Sequence, residues 1–233
     1  MEEINSGNKS KGRLYIVATP IGNLEDFTFR ALRILKEVDF IACEDTRQTI
    51  KLLNKYDIKK RLISYYQPRE QRRIPQIIQI LKEGKDIALV SDSGTPALSD
   101  PGFRLVKEAI KEAIKIIPIP GASALTSALC ASGLPTDKFL FIGFPPAKKE
   151  AAKKELIALK NEEATLIFYL PSRKMQFFLR LIEETLGNRE VVIAREMTKL
   201  YEEFLRGKAK ELVERLKNIN LKGETTILIQ GNK

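Results

Sequence analysis

Three stretches of this sequence gather the side chains that could do chemistry. Glu44-Asp45-Thr46-Arg47 sets two carboxylates beside a guanidinium. Ser91-Asp92-Ser93-Gly94-Thr95-Pro96-Ala97-Leu98-Ser99-Asp100-Pro101-Gly102 mixes carboxylates and hydroxyls with glycine, and Arg195-Glu196-Met197-Thr198-Lys199 places a carboxylate among cations. The chain contains no histidine. The commonest general base, every Ser-His or Cys-His nucleophile pair and most metal-ligand clusters are therefore missing. Any proton transfer falls to a carboxylate, a lysine or a tyrosine, or catalysis rests on positioning alone. The two cysteines, Cys43 and Cys130, sit among apolar neighbours and cannot build a usual zinc site without histidine. Both are expected to be buried thiols, and no metal is expected.

The long loop and two shorter ones, Thr19-Pro20-Ile21-Gly22-Asn23 and Pro120-Gly121-Ala122-Ser123-Ala124, each follow an apolar run that reads as a strand. In α/β sheets ligands gather at the carboxyl ends of strands. Glycine lets a ligand approach the backbone, and Asp, Ser and Thr can fix a ribose, an amino group or an amide edge. None of these loops is G-x-G-x-x-G or G-x-x-x-x-G-K-[ST], so Rossmann dinucleotide binding and P-loop chemistry are disfavoured. Taken singly, each loop also reads as plain turn chemistry. Asp45 or Thr46 likewise reads as the cap of a helix carrying Ile50 and Leu53, and Arg195–Lys199 as a salt-bridged strand end.

The elements that must position these loops are β-branched apolar runs: Leu14–Ala18, Val38–Ala42, Leu62–Ser64, Ile87–Val90, Ile116–Ile119, Phe139–Ile142, Thr165–Tyr169, Val191–Ala194 and Thr225–Ile229. Their near-continuous hydrophobicity suits strands covered on both faces. Helical stripes lie between them: Ile74, Ile77, Ile78 and Leu81; Phe103, Val106, Ile110 and Ala113; Met175, Phe178, Leu179, Ile182 and Leu186. Ser123–Ala131 reads as a further helix of small residues. The alternation predicts an α/β fold, largely parallel in its first half. Ile117-Pro118-Ile119-Pro120-Gly121 marks a boundary. It divides the chain into an α/β domain over 1–120 and a second, with a mixed sheet, over 121–233. Gln67–Arg73 and Pro145–Glu150 are expected to be mobile arms. The polar stretch Met1–Gly12 lacks a signal-peptide core and is expected to fray before the first strand. No run approaches the ~20 apolar residues of a membrane span, so a cytoplasmic location is expected, without membrane partners. The net charge of +10 suits either a polyanionic partner or a solvated basic surface.

Taken in order, these segments resemble the tetrapyrrole methylase superfamily. Within it they are most similar to the ribosomal RNA small subunit methyltransferase I family. The resemblance is carried by Leu14–Asp26, Ala42–Arg47, Ser91–Gly102, Pro118–Gly121, Ala131–Asp137, and Arg195–Lys199 with Glu202-Glu203-Phe204. It implies two α/β domains with S-adenosylmethionine in the cleft between them, usually in a homodimer. It also implies 2'-O-methylation of a cytidine in the decoding region of 16S rRNA, within the small ribosomal subunit. Carried over by position, the cofactor contacts are Pro20, Ile21, Asp92, Ser93, Gly94, Thr95, Leu98, Ser123, Ala124, Leu170 and Met197. Methyl transfer from a sulfonium needs no metal. A base for the ribose hydroxyl would come from Glu44, Asp45, Asp100 or Glu196, with Arg47 or Lys199 holding a phosphate.

The chain departs from the family at Tyr65-Tyr66-Gln67-Pro68-Arg69-Glu70, where a His-Glu-His-Asn-Glu-like stretch is usual. It has Pro120-Gly121-Ala122-Ser123 for Pro-Gly-Pro-Ser, and Tyr169-Leu170-Pro171-Ser172-Arg173-Lys174 for Tyr-Glu-Ser-Pro-His-Arg. Two alternatives follow. One is methylation of a tetrapyrrole, the superfamily's other substrate class. The other is an RNA-binding ribosome-assembly protein with impaired catalysis.

Overall fold

The computed structural model describes residues 10–217, 219 and 221–232, with the Arg69 side chain outside the description. Of the stretch expected to fray, residues 1–9 lie outside the described residues. Gly12 is already tied down, donating its N–H to the Leu81 carbonyl at 2.7 Å. The chain forms two compact units, Met1–Ala122 and Ser123–Lys233.

The first unit runs β1 (Arg13–Val17), α1 (Phe29–Glu37), β2 (Phe40–Cys43), α2 (Thr46–Asn54), β3 (Arg61–Ser64), α3 (Glu70–Lys82), β4 (Ile87–Val90), α4 (Phe103–Lys111) and β5 (Lys115–Ile119). Its sheet has the order β3-β2-β4-β1-β5, and every pairing is parallel. Alternate strand residues feed two cores. Tyr15, Val17, Ile41, Cys43, Ala88 and Val90 pack with Ala31, Ile34 and Leu35 of α1 and Leu53 of α2. Leu14, Ala42, Ile87 and Leu89 pack with Ile77, Ile78 and Leu81 of α3 and with Leu105 and Ala109 of α4. Helices thus cover both faces, which is why these strands lack the alternation of a half-exposed sheet. The chain leaves the neighbouring strands β1 and β4 toward opposite faces. Their carboxyl ends therefore flank a crevice, the usual ligand position in such sheets.

Two expectations for this unit need correction. The inner face of α4 is Leu105 and Ala109, with Val106 packed against the same core as expected, whereas Phe103 and Ile110 are 68% and 63% exposed. The helix carries two apolar stripes, and spacing alone does not say which one meets the sheet. Gln67–Arg73 is not an arm without regular structure. It is a 3-10 turn, Gln67–Arg69, running into α3.

The second unit runs α5 (Ala124–Ser132), β6 (Phe139–Gly143), α6 (Lys149–Ala158), β7 (Thr165–Pro171), α7 (Met175–Leu186), β8 (Glu190–Arg195), β9 (Glu203–Lys208), α8 (Ala209–Arg215) and β10 (Glu224–Ile229). Its sheet order is β6-β7-β10-β8-β9; β6 pairs parallel with β7 and the other pairs are antiparallel. Met175, Phe178, Leu179, Ile182 and Leu186 of α7 enter the core. The stretch Pro145–Glu150 is only partly irregular, because α6 begins at Lys149. Strand β9 escaped the sequence reading. Its six residues, Glu-Phe-Leu-Arg-Gly-Lys, bury only Leu205, as befits a charged edge strand. Cys43 is buried as expected, but Cys130 is exposed on α5. Among the described residues no helix is long and apolar enough to cross a membrane.

Candidate functional site

In the first unit the predicted residues converge at the carboxyl edge of the sheet. The loop after β1 and the loop after β4 are stitched together by a two-residue antiparallel bridge. Thr19 N–H donates to the Gly94 carbonyl at 2.9 Å, and Gly94 N–H returns to the Thr19 carbonyl at 3.1 Å. The Thr19 hydroxyl donates to the Ser91 carbonyl at 3.2 Å, and the Ser91 hydroxyl to the Gly94 carbonyl at 3.1 Å. The Thr95 hydroxyl reaches the Ala122 carbonyl at 3.2 Å, which adds the loop after β5. Pro20 and Ile21 are buried behind this bridge, whereas Asp92, Ser93 and Leu98 are exposed.

Gly94 holds φ +83°, and a Cβ there would stand 3.2 Å from Ile21 Cγ2 and 3.7 Å from the Ala122 oxygen. Ala97 and Ser99, at φ +68° and +62°, also occupy the left-handed region, although neither is glycine. Non-glycine residues persist there only when their surroundings enforce it, and such residues cluster at functional loops.

The carboxylates of this unit separate by environment. Asp45 caps α2, accepting the Arg47 N–H at 2.9 Å and pairing with the Arg47 guanidinium at 2.8 Å. Those contacts hold its carboxyl down at about 2, where it is a poor proton acceptor. Asp45 is thus the cap of the helix that carries Ile50 and Leu53. Asp92 accepts the Asp45 N–H at 3.2 Å, joining the loops after β2 and β4. Partial desolvation of the carboxyl group, with repulsion from neighbouring carboxylates, pushes Glu44 above the ordinary carboxylate range, and Asp92 too, although that residue as a whole is exposed. Asp100 is pushed furthest, up to about 6, chiefly by burial and then by repulsion from Glu44. A carboxylate tuned toward neutrality can be ionised at physiological pH and still take a proton.

In the second unit the predicted residues lie on several elements. Ser123 and Ala124 open α5, which packs on β8 and β10. The Leu170 side chain is committed to the core, leaving only its backbone for a ligand. Its carbonyl accepts the Thr225 hydroxyl. Met197 is buried in the turn after β8. Glu196 accepts Lys199 Nζ at 3.1 Å and the Glu224 N–H at 2.9 Å, and Lys199 reaches Glu224 at 3.0 Å. These contacts, the Glu224 N–H first, hold the Glu196 carboxyl below its ordinary range. Glu196 and Lys199 thus anchor the turn to the start of β10. Glu196 and Thr198 sit at φ +49° and +66°, a strain that residue type did not signal. Arg195 pairs with Glu203 across β8 and β9 at 3.0 Å. Among the described residues no group of three metal-ligating side chains converges.

Residues 13–213 match the family model for Tetrapyrrole (Corrin/Porphyrin) Methylases. The chain is 54% identical to the ribosomal RNA small subunit methyltransferase I of Halalkalibacterium halodurans over 95% of this chain and 77% of that protein. It is 49% identical to the Thermotoga maritima protein of the same name, over 95% of this chain and 100% of the relative. Among solved structures, it resembles a uroporphyrin-III C-methyltransferase from Thermus thermophilus complexed with S-adenosyl homocysteine. That TM-score is 0.64 at 16% identity, covering 94% of this chain and 97% of that one.

Proposed function

The chain belongs to the tetrapyrrole methylase family, and within it to the ribosomal RNA small subunit methyltransferase I family; on that premise we propose that it transfers a methyl group from S-adenosylmethionine to the 2'-oxygen of a cytidine in the decoding region of 16S rRNA. The observation that carries this reading is the stitched loop cluster of the first unit with a carboxylate tuned to about 6 at its exit. The residues present fit the cofactor. Asp92 and the Ser93 and Thr95 hydroxyls offer acceptors for its ribose and ammonium groups, and Ile21 and Leu98 offer apolar cover. Gly94 leaves the backbone free of a Cβ in the same loop. We assign a further contact to Pro20 in this unit.

When bound, S-adenosylmethionine supplies a methyl group on a sulfonium, already activated for displacement. Asp100 accepts the proton of the ribose hydroxyl as the new carbon–oxygen bond forms and the carbon–sulfur bond breaks. Glu44 and Asp92 keep the neighbourhood negative, which opposes early ionisation of Asp100 and favours a cationic donor nearby. Holding the reacting groups in line contributes roughly 7–11 kcal/mol toward lowering the barrier. We assign Arg47, whose side chain is 86% exposed beside Asp45, to a backbone phosphate.

The test is transfer of labelled methyl groups to purified small ribosomal subunits, followed by digestion to nucleosides. Label is expected in 2'-O-methylcytidine from the decoding region. Label in a tetrapyrrole instead, or cofactor binding without transfer to either, would sink the proposal in favour of a porphyrinoid enzyme or an assembly factor. The same reading takes the protein to be a cytoplasmic homodimer.

The basic surface gives a second expected result. Arg72 is exposed on α3, and Arg73 bonds Gln76 at 2.7 Å. Lys148, Lys149 and Lys154 are exposed near the start of α6, whereas Lys153 pairs with Glu184. If the two arginines neutralise phosphates, replacing both by Ala flattens the slope of log RNA affinity against log salt by about 0.7 per lost contact. Cofactor affinity stays constant. Equal slopes for wild type and the double variant, on a decoding-region fragment and on assembled subunits, would assign these arginines to solvated surface.

A further inference from the structure

The loop that carries Asp100 ends at α4, and α4 has no cap of its own. Its N-cap residue is Gly102, which has no side chain to offer. A helix start leaves backbone N–H groups without intrahelical partners, and these need acceptors when buried. Here the acceptor comes from another part of the chain. Glu70 Oε1 accepts the Gly102 N–H at 3.4 Å. The Tyr65 hydroxyl donates to the same Glu70 Oε1 at 2.6 Å and orients it. Arg104 Nε stands 4.0 Å from Glu70 Oε2. Tyr65 is 1% exposed and Glu70 is 6% exposed, so a carboxylate and a phenol have been taken out of water to make this junction.

Burial and the adjacent carboxylate push the Tyr65 hydroxyl well above its ordinary range, which keeps it protonated as the donor. A carboxylate also suits the electropositive start of a helix. The space leaves little freedom. A Cβ at Gly102, whose φ is +148°, would meet Ala97 Cβ and Leu89 Cδ2 at 3.0 Å each. Ala97 and Ser99 in the same loop are held at positive φ, and something must hold them there.

We propose that Tyr65 and Glu70 form an external cap for α4 that locks the exit of the 91–102 loop, making Glu70 the positioning residue for Asp100. This rests on the reading of Asp100 as the proton acceptor, and the two are tested separately. The assignment explains why a buried carboxylate, costly unless satisfied, sits in a segment that contributes little else to the core. It also gives the Tyr65–Glu70 stretch a role that does not require it to touch RNA.

The experiment is a double-variant cycle between Glu70→Ala and Asp100→Asn, read by unfolding at pH 8 and by single-turnover methyl transfer. In the otherwise wild-type protein, Asp100→Asn should raise the unfolding midpoint at pH 8, because it removes a half-buried charge beside other carboxylates. In the Glu70→Ala background that gain should shrink by more than half, since the freed loop lets Asp100 reach water. Glu70→Ala alone should lower the transfer rate by about 10²-fold, the scale expected for an ångström of misplacement. The acid limb of its pH–rate profile should move from about 6 toward the ordinary carboxylate range. Glu70→Gln, which retains an acceptor oxygen, should restore both readouts. If Glu70→Ala does not fold, Tyr65→Phe removes the hydroxyl while keeping the ring, and serves in its place. An undiminished gain from Asp100→Asn in the Glu70→Ala or Tyr65→Phe background overturns the positioning role. A diminished gain with transfer unaffected by Asp100→Asn supports the positioning role and removes Asp100 as the base.

Discussion

Asp100→Asn should produce a protein that is more stable at pH 8 and almost inactive. Burial and the Glu44 carboxylate raise the Asp100 carboxyl from 3.8 to about 6. The folded state therefore binds this proton more tightly than the unfolded chain does. Stability conferred by the protonated form is full below about pH 4, declines as the pH rises toward 6, and is absent above that. Asparagine is neutral throughout. Relative to wild type, it should gain nothing at pH 4 and at most roughly 3 kcal/mol at pH 8, at 1.36 kcal/mol per unit of displacement, and less once solvent screening of this half-buried carboxyl is counted. Loss of contacts that only the carboxylate makes will reduce that ceiling. Catalysis moves the other way: loss of the proton acceptor should lower the transfer rate by roughly 10²–10⁴-fold. Paired unfolding curves at pH 4 and pH 8, with single-turnover rates at pH 8, check both halves. A variant as active as wild type removes Asp100 from the chemistry, and a stability difference that does not vary with pH removes the buried-charge explanation.

Such a trade is what a functional carboxylate should show, and it also marks where sequence reasoning reaches its limit. The first sheet was legible because its central strands are covered on both faces, so apolar character runs through Ile87–Val90 without a break. The loops after β1, β4 and β5 were legible because Gly, Pro, Asp and Ser collect there immediately after such runs. Strand β9 was not legible, since a charged edge strand with one buried residue has the composition of a loop. For α4 the helix itself was legible but its orientation was not. Phe103 and Ile110 recur at helical spacing as well as Leu105 and Ala109 do, and only the sheet selects between them. The ranking of carboxylates was hidden for a related reason. Asp45 and Asp100 are the same residue type, and their difference lies in one having Arg47 beside it and the other being half-buried near Glu44. The Tyr65–Glu70 cap was hidden too, because a spacing of five gives no sign that both groups meet the start of a helix far along the chain.

Gly94→Val should abolish binding of S-adenosylmethionine while leaving the protein folded. Two costs act at this position. A β-branched residue at φ +83° is strained wherever it sits, by an amount on the order of 1–3 kcal/mol. In addition, the new Cβ would stand 3.2 Å from Ile21 Cγ2, and the two methyl groups of valine extend beyond it. Ile21 is buried and cannot retreat freely, so the side chain must be relieved by a shift of the loop. That shift breaks the paired bonds between Thr19 and Gly94, at 2.9 and 3.1 Å, which hold the loops after β1 and β4 in register. The proposed cofactor contacts at Ile21, Ser93 and Thr95 all depend on that register. A loss of at least 100-fold in affinity is expected, equivalent to roughly 2.7 kcal/mol. Gly187→Val is the matched control. Gly187 holds φ +81° at the end of α7, and a Cβ there meets nothing within 4 Å. It carries the backbone strain without the contact. Calorimetric titration of S-adenosylmethionine into both variants, after circular dichroism has shown each to be folded, separates the causes. Wild-type affinity in folded Gly94→Val would remove this loop from the cofactor site, and equal losses in the two variants would trace the effect to strain at large.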